Sequence, residues 1–321
     1  QYQPIVDYLN HSRQDEYIVL EVLSQPEIDQ RIADGSLDLL TTSPTHFLFV
    51  RSRYPLTGMI ANMVNVYDGR PLYELGGVIL AKASRDDIDR LEDIRGKIIA
   101  VPTVFNMAGY QVPAYELYQM GIHLPKDARR VMEVQTHENV VRAVLEGKVD
   151  VGFVRNGVLE RMAKSGELAV DEIKLINEQV KPGFPQRVCT QLYPEWPVFA
   201  LPYLGAYHMR HLASALFLIE PDHPAAKAAG IYGFTIPADY LSVERLARAL
   251  RIPPFDFAPA FTPADAWRRW KYPIVAGLVG VGIIVLLLGS LTVVRRREQR
   301  EHARLQQLLS TLGEGVYGVD L

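Results

Sequence analysis

Short apolar runs alternate with amphipathic stretches over residues 1–260. The apolar run at 149–154 is followed by helical periodicity over 157–163, and the run at 97–101 is followed by helical periodicity over 110–120. Strands that alternate with helices in this way predict parallel sheets built from right-handed βαβ crossovers. We therefore expect an α/β fold for this part of the chain.

The number of elements exceeds what one hydrophobic core usually serves, so we expect two lobes, with the second at about residues 83–180. The helix predicted at 24–33 shows its start in the sequence, because Ser24 stands at the N-cap and Glu27 follows three residues later in capping-box position. The further predicted strands are 17–22, 37–40, 57–67, 73–82, 130–134 and 173–176. The further predicted helices are 2–9, one that opens at Pro44, 138–145, 208–219 and 243–250.

One segment, Pro273–Val294, contains no charged residue over its whole length. At about 1.5 Å per residue it would span ~33 Å, which matches a hydrocarbon core of about 30 Å with some tilt. Trp267, Trp270 and Tyr272 stand just before it, where interfacial aromatic residues are expected, and Arg295–Arg297 follow it directly. The segment is predicted to be a single transmembrane helix.

Basic residues are distributed unevenly around this helix. Five arginines follow it within residues 295–304, and three basic residues precede it within 268–271. Because Lys and Arg are in excess on the cytoplasmic side, we expect the chain to be cytoplasmic after residue 294 and periplasmic over 1–260, in a bacterial inner membrane. The sequence opens within an element, so we also expect a preceding strand and a signal or first transmembrane segment.

Composition argues against several functions. The net charge is −3 and the basic residues concentrate around the apolar helix, so the part before that helix is acidic and a poor binder of nucleic acid. Cys189 is the one cysteine, so no intramolecular disulfide can form. The histidines have no acidic or cysteine partner at metal-ligand spacing, so no metal site is predicted. No nucleophile–base or paired-carboxylate motif stands out, so no catalytic residue is assigned.

Polar side chains follow several predicted strands where helices begin, which is where α/β folds bind ligands. Such junctions offer hydroxyl groups and free backbone N–H groups, and an arginine adds a guanidinium fork for an oxyanion. Capping chemistry explains any single junction, but their recurrence favours a shared anion site. The candidate ligand-binding residues at these junctions are Ser43, Thr45, His46, Thr103, Asn106, Tyr110, Thr136, His137 and Arg155.

Three segments carry a resemblance to a known family: LEDIRGKIIAVP at 91–102, HENVVRAVLEGKVDVGFVRNGVLERMAKSG at 137–166 and CTQLYPEWP at 189–197. They resemble the sensor domains of bacterial tetrathionate-type sensor histidine kinases, which are similar to phosphonate-binding periplasmic proteins of ABC importers. The resemblance covers nearly all of residues 1–257. It implies a two-lobed, type II periplasmic-binding-protein fold that closes on a small anion, either a sulfur oxyanion or a phosphonate-like compound. Members of this family usually begin with one more strand and a cleft-lining loop.

The third of these segments adds further candidate ligand-binding residues, each of which has two possible roles. In a family associated with sulfur oxyanions, Cys189 is either a thiol that reacts with the ligand or a compact and inert filler. Tyr193, Glu195 and Trp196 either wall the cleft or pack a hinge. Cys189, Tyr193 and Trp196 complete the set of candidate ligand-binding residues.

Residues 261–272 are expected to link the ligand domain to the transmembrane helix at 273–294. Residues 295–307 have the composition of a cytoplasmic helical linker, and 308–321 resemble the start of a PAS domain, cut short at Leu321. The resemblance implies the sensing and anchoring part of a two-component sensor histidine kinase: a homodimer whose kinase core, using ATP, lies beyond residue 321 and acts on a response regulator. No cofactor is expected within these residues. The alternative is a membrane-tethered solute-binding component of an ABC transporter.

Overall fold

The computed structural model describes residues 2–11, 17–257 and 263–313. The chain divides into a globular unit, Gln1–Phe257, and a helical unit, Ala258–Leu321. Each unit is described by itself.

The helices and strands of the globular unit follow each other in short alternation. Its helices are α1 (Gln3–His11), α2 (Gln25–Ala33), α3 (Pro44–Arg53), α4 (Val112–Gln119), α5 (His137–Leu145), α6 (Val158–Lys164), α7 (Ala206–Phe217), α8 (Pro224–Ala229) and α9 (Leu241–Ala249). Its strands are β1 (Leu39–Thr41), β2 (Gly58–Tyr67), β3 (Arg70–Leu72), β4 (Glu74–Leu75), β5 (Gly77–Lys82), β6 (Ile98–Val101), β7 (Arg130–Glu133), β8 (Val151–Arg155), β9 (Ile173–Leu175), β10 (Tyr193–Pro194), β11 (Pro197–Ala200) and β12 (Ile231–Thr235). A π-helical segment, Met107–Gln111, leads directly into α4.

Local sequence signals set several helix ends. At the start of α2 the backbone N–H of Ser24 donates to the Glu27 carboxylate at 2.7 Å, and the Ser24 hydroxyl donates to the same oxygen at 2.6 Å. Gly121 and Gly147, which follow α4 and α5, adopt left-handed backbone angles with φ of 74° and 70°. Glycine reaches this conformation without a Cβ penalty, so the chain turns away from the helix there.

The second lobe is built on a five-stranded sheet in the order β7-β6-β8-β5-β9. β6 runs parallel to β7 and β8, as the alternation of strands and helices predicts. β5 runs antiparallel to both β8 and β9, so the prediction of a parallel sheet is correct for only part of this lobe. The buried core of this lobe includes Ile79, Ile99, Val151 and Phe153.

The first lobe has a sheet in the order β1-β11-β2-β12, with β3 beside β2, and every pairing in it is antiparallel. The prediction of a parallel sheet is therefore wrong here. The reason is topological, because β11 and β12 come from the part of the chain that returns from the second lobe. Both strands were missed by the sequence pattern. Helices cover both faces of this sheet, with Phe47 and Leu246 in one core cluster and Leu212 and Ile231 in the other.

The chain passes between the lobes at two adjacent crossover segments, 75–77 and 188–193. The strand predicted at 73–82 is interrupted at Gly76, so that β4 pairs with β10 of the first lobe while β5 enters the sheet of the second. The backbone N–H of Cys189 donates to the Gly77 carbonyl at 2.8 Å. A Cβ on Gly77 would lie 2.7 Å from ring carbons of Pro113, so a larger residue does not fit at this crossover.

The prediction of a strand at 17–22 is wrong. No described strand pairs with this segment, and the Tyr17, Val19 and Val22 side chains are exposed. The side-chain amide of Asn10 donates to the Ile18 carbonyl at 2.9 Å and accepts from its N–H at 2.7 Å. A side chain therefore satisfies the backbone groups that a strand would offer to a sheet.

The helical unit contains one long helix, α10 (Pro263–Gly313), with a local deviation from helical angles at Trp270. The stretch Arg269–Ser310 is long and apolar enough to cross a membrane, by length and composition. Residues 308–313 continue this helix. The rest of the segment that resembles a PAS opening, 314–321, lies outside the described residues.

Candidate functional site

A cleft of about 480 Å³ in the globular unit is lined by residues of both lobes. A pocket of this volume suits a small ligand. The first lobe contributes Leu23, Ser24, Gln25, Pro26, Ile28, Thr41, Thr42, Ser43, Leu75 and Trp196. The second lobe contributes Thr103, Phe105, Asn106, Met107, Ala108, His137 and Arg155.

The N-terminal ends of four helical segments border the cleft. Ser24 precedes α2 and Ser43 precedes α3, while Asn106 precedes the π-helical segment that runs into α4 and His137 is the first residue of α5. A helix N-terminus carries unpaired backbone N–H groups and the positive end of the helix dipole. Four such ends around one cleft, from two lobes, make it receptive to an anion.

Two hydroxyl groups of the first lobe are buried at the cleft. Thr41 Oγ1 and Ser43 Oγ have no hydrogen-bond partner within the described part of the chain. Buried polar groups in folded proteins are nearly always paired. A ligand oxygen would satisfy both hydroxyls, so these two orphaned groups indicate where an oxyanion would bind.

Between these two residues, Thr42 has a hydrogen-bond partner. Its Oγ1 lies 2.9 Å from His46 Nδ1, and His46 Nε2 lies 3.2 Å from Asp29 Oδ1. Burial lowers the pKa of His46, while the nearby Asp29 carboxylate acts in the opposite direction with a smaller effect. A carboxylate thus connects through an imidazole to a hydroxyl that lines the cleft.

His137 presents a neutral imidazole to the cleft. Burial, together with the positive charge of Arg155, lowers the pKa of His137 to about 4. The backbone N–H of Arg155 donates to His137 Nδ1 at 3.3 Å, so the proton of the neutral ring is on Nε2. His137 therefore offers a neutral N–H donor.

Arg155 is the last residue of β8 in the second lobe and forms an ion pair with Glu195 of the first lobe. The Glu195 side chain is 1% exposed and that of Arg155 is 26% exposed. The carbonyl of Glu195 accepts from Asn62 Nδ2 at 2.8 Å and from the Tyr240 hydroxyl, which fixes Glu195 in the first lobe. The second carboxylate oxygen of Glu195 is buried and has no partner among the described residues. This ion pair joins the two lobes beside the cleft.

The structure brings half of the candidate ligand-binding residues to the cleft. Thr45 and His46 are buried in the first turns of α3, and Thr136 caps α5 by accepting from the Asn139 N–H at 3.1 Å. Tyr110 packs against the core of the second lobe. The candidates that line the cleft are Ser43, Thr103, Asn106, His137, Arg155 and Trp196. Their role in ligand binding stays a prediction.

Cys189 and Tyr193 are placed away from the cleft lining. Cys189 is 0% exposed in the core of the second lobe, where its thiol donates to the Ile79 carbonyl at 3.5 Å. Burial raises the pKa of the Cys189 thiol to about 12. The thiolate is the reactive form of cysteine, and a raised pKa keeps the thiol protonated. Of the two alternatives for Cys189, this environment therefore fits the compact, inert residue. Tyr193 is also 0% exposed and its hydroxyl accepts from Gln191 Nε2 at 2.7 Å.

Sequence reasoning missed the contribution of α2 and predicted that of the loop before α4 only through Thr103 and Asn106. Residues 23–26 line the cleft at the N-terminal end of α2, and Phe105 stands exposed on the opposite lobe. The capping box at Ser24 marked this helix start, but not its position at the cleft. The ion pair of Glu195 with Arg155 also had no local signal, because the two residues lie 40 positions apart.

Comparison with known families decides the class of the globular unit. The family of phosphonate periplasmic substrate-binding proteins of ABC transporters matches residues 1–240. The chain belongs to this family. A protein of known function, the tetrathionate sensor histidine kinase TtrS of Salmonella typhimurium, is 22% identical over 331 aligned residues, which cover 99% of this chain and 54% of TtrS. The chain thus spans about half the length of that relative. The predicted resemblance to both groups is confirmed.

Solved structures of this family share the fold. PhnD1 from Prochlorococcus marinus, in complex with methylphosphonate, is 15% identical with a TM-score of 0.61, covering 78% of this chain and 92% of PhnD1. The phosphonate-transporter binding protein PA3383 from Pseudomonas aeruginosa is 16% identical with a TM-score of 0.60, covering 88% and 91%. The predicted two-lobed, type II periplasmic-binding fold is confirmed. A periplasmic binding domain together with one apolar helix fits an inner-membrane protein.

Proposed function

We propose that residues 1–260 are the extracytoplasmic ligand-sensing domain of a two-component sensor histidine kinase. The domain binds a small anion in the interlobe cleft, and the linker at 261–272 passes the signal to a transmembrane helix at 273–294. The helical linker at 295–307 and the start of a PAS domain at 308–321 then lead to a kinase core in the cytoplasm. That core would use ATP, act as a homodimer and phosphorylate a response regulator.

The observation that carries the proposal is the pair of orphaned hydroxyls, Thr41 Oγ1 and Ser43 Oγ, at a cleft bordered by four helix N-termini. These groups donate hydrogen bonds and carry partial positive charge, so they stabilise an oxyanion. The similar proteins narrow the ligand class: one relative is a tetrathionate sensor and one structural neighbour binds methylphosphonate. The ligand is therefore a sulfur oxyanion or a phosphonate-like anion.

Calorimetric titration of the full chain in lipid nanodiscs tests the site, with tetrathionate and methylphosphonate as probes. The double substitution Thr41→Val with Ser43→Ala removes both orphaned hydroxyls. We expect it to weaken binding of the preferred anion by about 10- to 100-fold, since each lost hydrogen bond contributes about 1 kcal/mol or more. Ser52→Ala, at the far end of α3 from the cleft, is the control and should bind as the unsubstituted chain does. Equal affinity in the double variant would place the ligand elsewhere.

The family match also supports a second function, a membrane-tethered binding component of an ABC transporter. One observation supports the sensor instead: α10 continues to Gly313, well past the apolar segment that ends at Val294. A tether needs no long helix on the far side of the membrane. Autophosphorylation of the full-length protein with ATP would establish the sensor, and ligand uptake that depends on the gene would establish the transporter.

A further inference from the structure

The hydroxyl of Thr42 differs from those of its two neighbours, because it already forms a hydrogen bond in a chain that runs through the buried His46 to the partly exposed Asp29. Thr42 is 5% exposed and lines the cleft, and His46, one helical turn on, is also 5% exposed. The distances from Thr42 Oγ1 to His46 Nδ1 and from His46 Nε2 to Asp29 Oδ1 are 2.9 and 3.2 Å. Thr41 and Ser43, on either side, have hydroxyls without partners in the described chain.

The positions of the protons in this chain follow from the chemistry of its members. An ionised carboxylate only accepts hydrogen bonds, so His46 Nε2 must carry a proton to bond to Asp29. Burial favours the neutral imidazole and lowers the pKa of His46, so Nδ1 carries no proton. The Thr42 hydroxyl must therefore donate to Nδ1. Toward the cleft, the Thr42 oxygen can therefore only accept hydrogen bonds, through its lone pairs.

We propose that Asp29 and His46 hold Thr42 as a hydrogen-bond acceptor, and that Thr42 selects an oxyanion that still carries a proton over a proton-free oxyanion of the same shape. The inference rests on the proposed function, that the cleft binds a small oxyanion. Thr41, Ser43 and the helix N-termini donate to the unprotonated oxygens, and Thr42 accepts from the protonated one. A proton-free oxygen beside the Thr42 lone pairs has no partner and is repelled.

Selectivity of this kind is large, because a site built to pair with a ligand O–H is left with an unpaired polar group when the ligand lacks it. We expect a preference of about 10- to 100-fold. Methylphosphonate and methanesulfonate are suitable probes. At neutral to mildly acidic pH both carry mainly one negative charge and have the same tetrahedral shape, but only methylphosphonate has an O–H.

The experiment measures the affinity of both probes by calorimetry on the full chain in nanodiscs. Thr42→Val keeps the shape of the side chain and removes the acceptor, so it should weaken methylphosphonate binding by about 10-fold and leave methanesulfonate unchanged or tighter. In the Asp29→Asn variant the side-chain amide can donate a hydrogen bond to His46 Nε2, so the ring proton can lie on Nδ1 and donate to the Thr42 oxygen. The Thr42 hydroxyl is then free to donate to the ligand. This variant should tighten methanesulfonate binding while methylphosphonate binding stays close to the original. Asp34→Asn, at the residue directly after the helix that carries Asp29, is the control and should change neither affinity.

The outcomes separate the inference from the proposed function. If the unsubstituted chain binds oxyanions but the ratio of the two affinities is the same in Thr42→Val and Asp29→Asn, the inference is overturned and the anion site stands. A loss of thermal stability in Asp29→Asn with an unchanged ratio has the same meaning, because a structural role alone would not alter selectivity. If the unsubstituted chain binds none of four anions (methylphosphonate, methanesulfonate, tetrathionate and inorganic phosphate), both the anion site and the inference are overturned.

Discussion

Replacing Arg155 with alanine separates the structural role of this residue from its role in ligand binding. The substitution removes the cation of an ion pair whose carboxylate, Glu195, is 1% exposed. An unpaired buried charge costs about 3–5 kcal/mol of the free energy of unfolding. Because the Arg155 side chain is 26% exposed, solvent screens the pair, so we expect the lower value of about 3 kcal/mol. For a domain of this size that lowers the Tm by roughly 6–12 °C.

Ligand affinity should fall as well, because Arg155 lines the cleft. A charged hydrogen bond to an oxyanion contributes about 1.5–3 kcal/mol, so Arg155→Ala should weaken anion binding by about 10- to 100-fold. Thermal unfolding and calorimetric titration of the same preparation measure the two effects. Adding Glu195→Gln to Arg155→Ala removes the unpaired charge, so the double variant should recover much of the lost stability without recovering affinity.

A surface ion pair of the same lobe provides the control. Arg161 pairs with Glu138 at 2.8 Å, with side chains 63% and 33% exposed, so Arg161→Ala should cost less than about 1 kcal/mol. A Tm for Arg155→Ala that matches the one for Arg161→Ala would refute the buried, interlobe pair. A lowered Tm with unchanged affinity for every anion that binds would instead reject Arg155 as a ligand residue and leave it a structural one.

Four further predictions follow from individual residues and segments. Burial lowers the pKa of His137 from 6.5 to about 4, so between these pH values the unfolded chain binds a proton at this residue and the folded chain does not. The free energy of unfolding should therefore fall as the pH is lowered from 6.5 to about 4. In a series of thermal unfolding measurements across this pH range, His137→Gln should flatten the decrease. Cys189, whose pKa burial raises to about 12, should resist iodoacetamide at mildly alkaline pH until the protein is unfolded. Reporter fusions after Phe257 and after Arg304 should show extracytoplasmic and cytoplasmic activity, respectively, in the full-length protein; cytoplasmic activity after Phe257 would reverse the orientation. A flexible Gly-Ser insertion between Pro263 and Trp267 should leave ligand affinity intact and abolish the kinase response proposed for the full-length protein, because the prolines in the sequence at 253, 254, 259 and 263 predict a stiff linker. A normal response would exclude coupling through a stiff linker.

Features with local causes could be predicted from the sequence. The capping box of Ser24 and Glu27, the cap of Thr136 on α5 and the left-handed glycines after α4 and α5 involve residues within one helical turn of each other. The strands of the second lobe that alternate with helices were predicted for the same reason. Positions at strand ends, such as Ser43 and His137, were predicted to meet at a cleft because connections in α/β folds bring those ends together.

Features that depend on distant parts of the chain were missed or wrong. The sheet of the first lobe is antiparallel because β11 inserts between β1 and β2 after about 110 residues in the other lobe, and no local periodicity encodes that return. The burial of Cys189 depends on the crossover segments, and the ion pair of Glu195 depends on the approach of two lobes. Composition identified these side chains as chemically notable, but their surroundings come only from the tertiary structure.

The electrostatics of the cleft show how an acidic domain could bind an anion as proposed. Glu195 balances the charge of Arg155, and His137 is neutral at physiological pH because burial lowers its pKa to about 4. Long-range attraction is therefore weak, and binding would depend on the helix N-termini, the hydroxyl groups and a hydrogen bond from Arg155, whose effects are short-ranged and directional. A site of this kind discriminates among anions by the arrangement of donors and acceptors more than by net charge. Since those groups belong to both lobes, a ligand would gain its full set of contacts only when the lobes enclose it. Such a difference in affinity between an open and a closed state is what would let ligand binding shift the conformation of the domain.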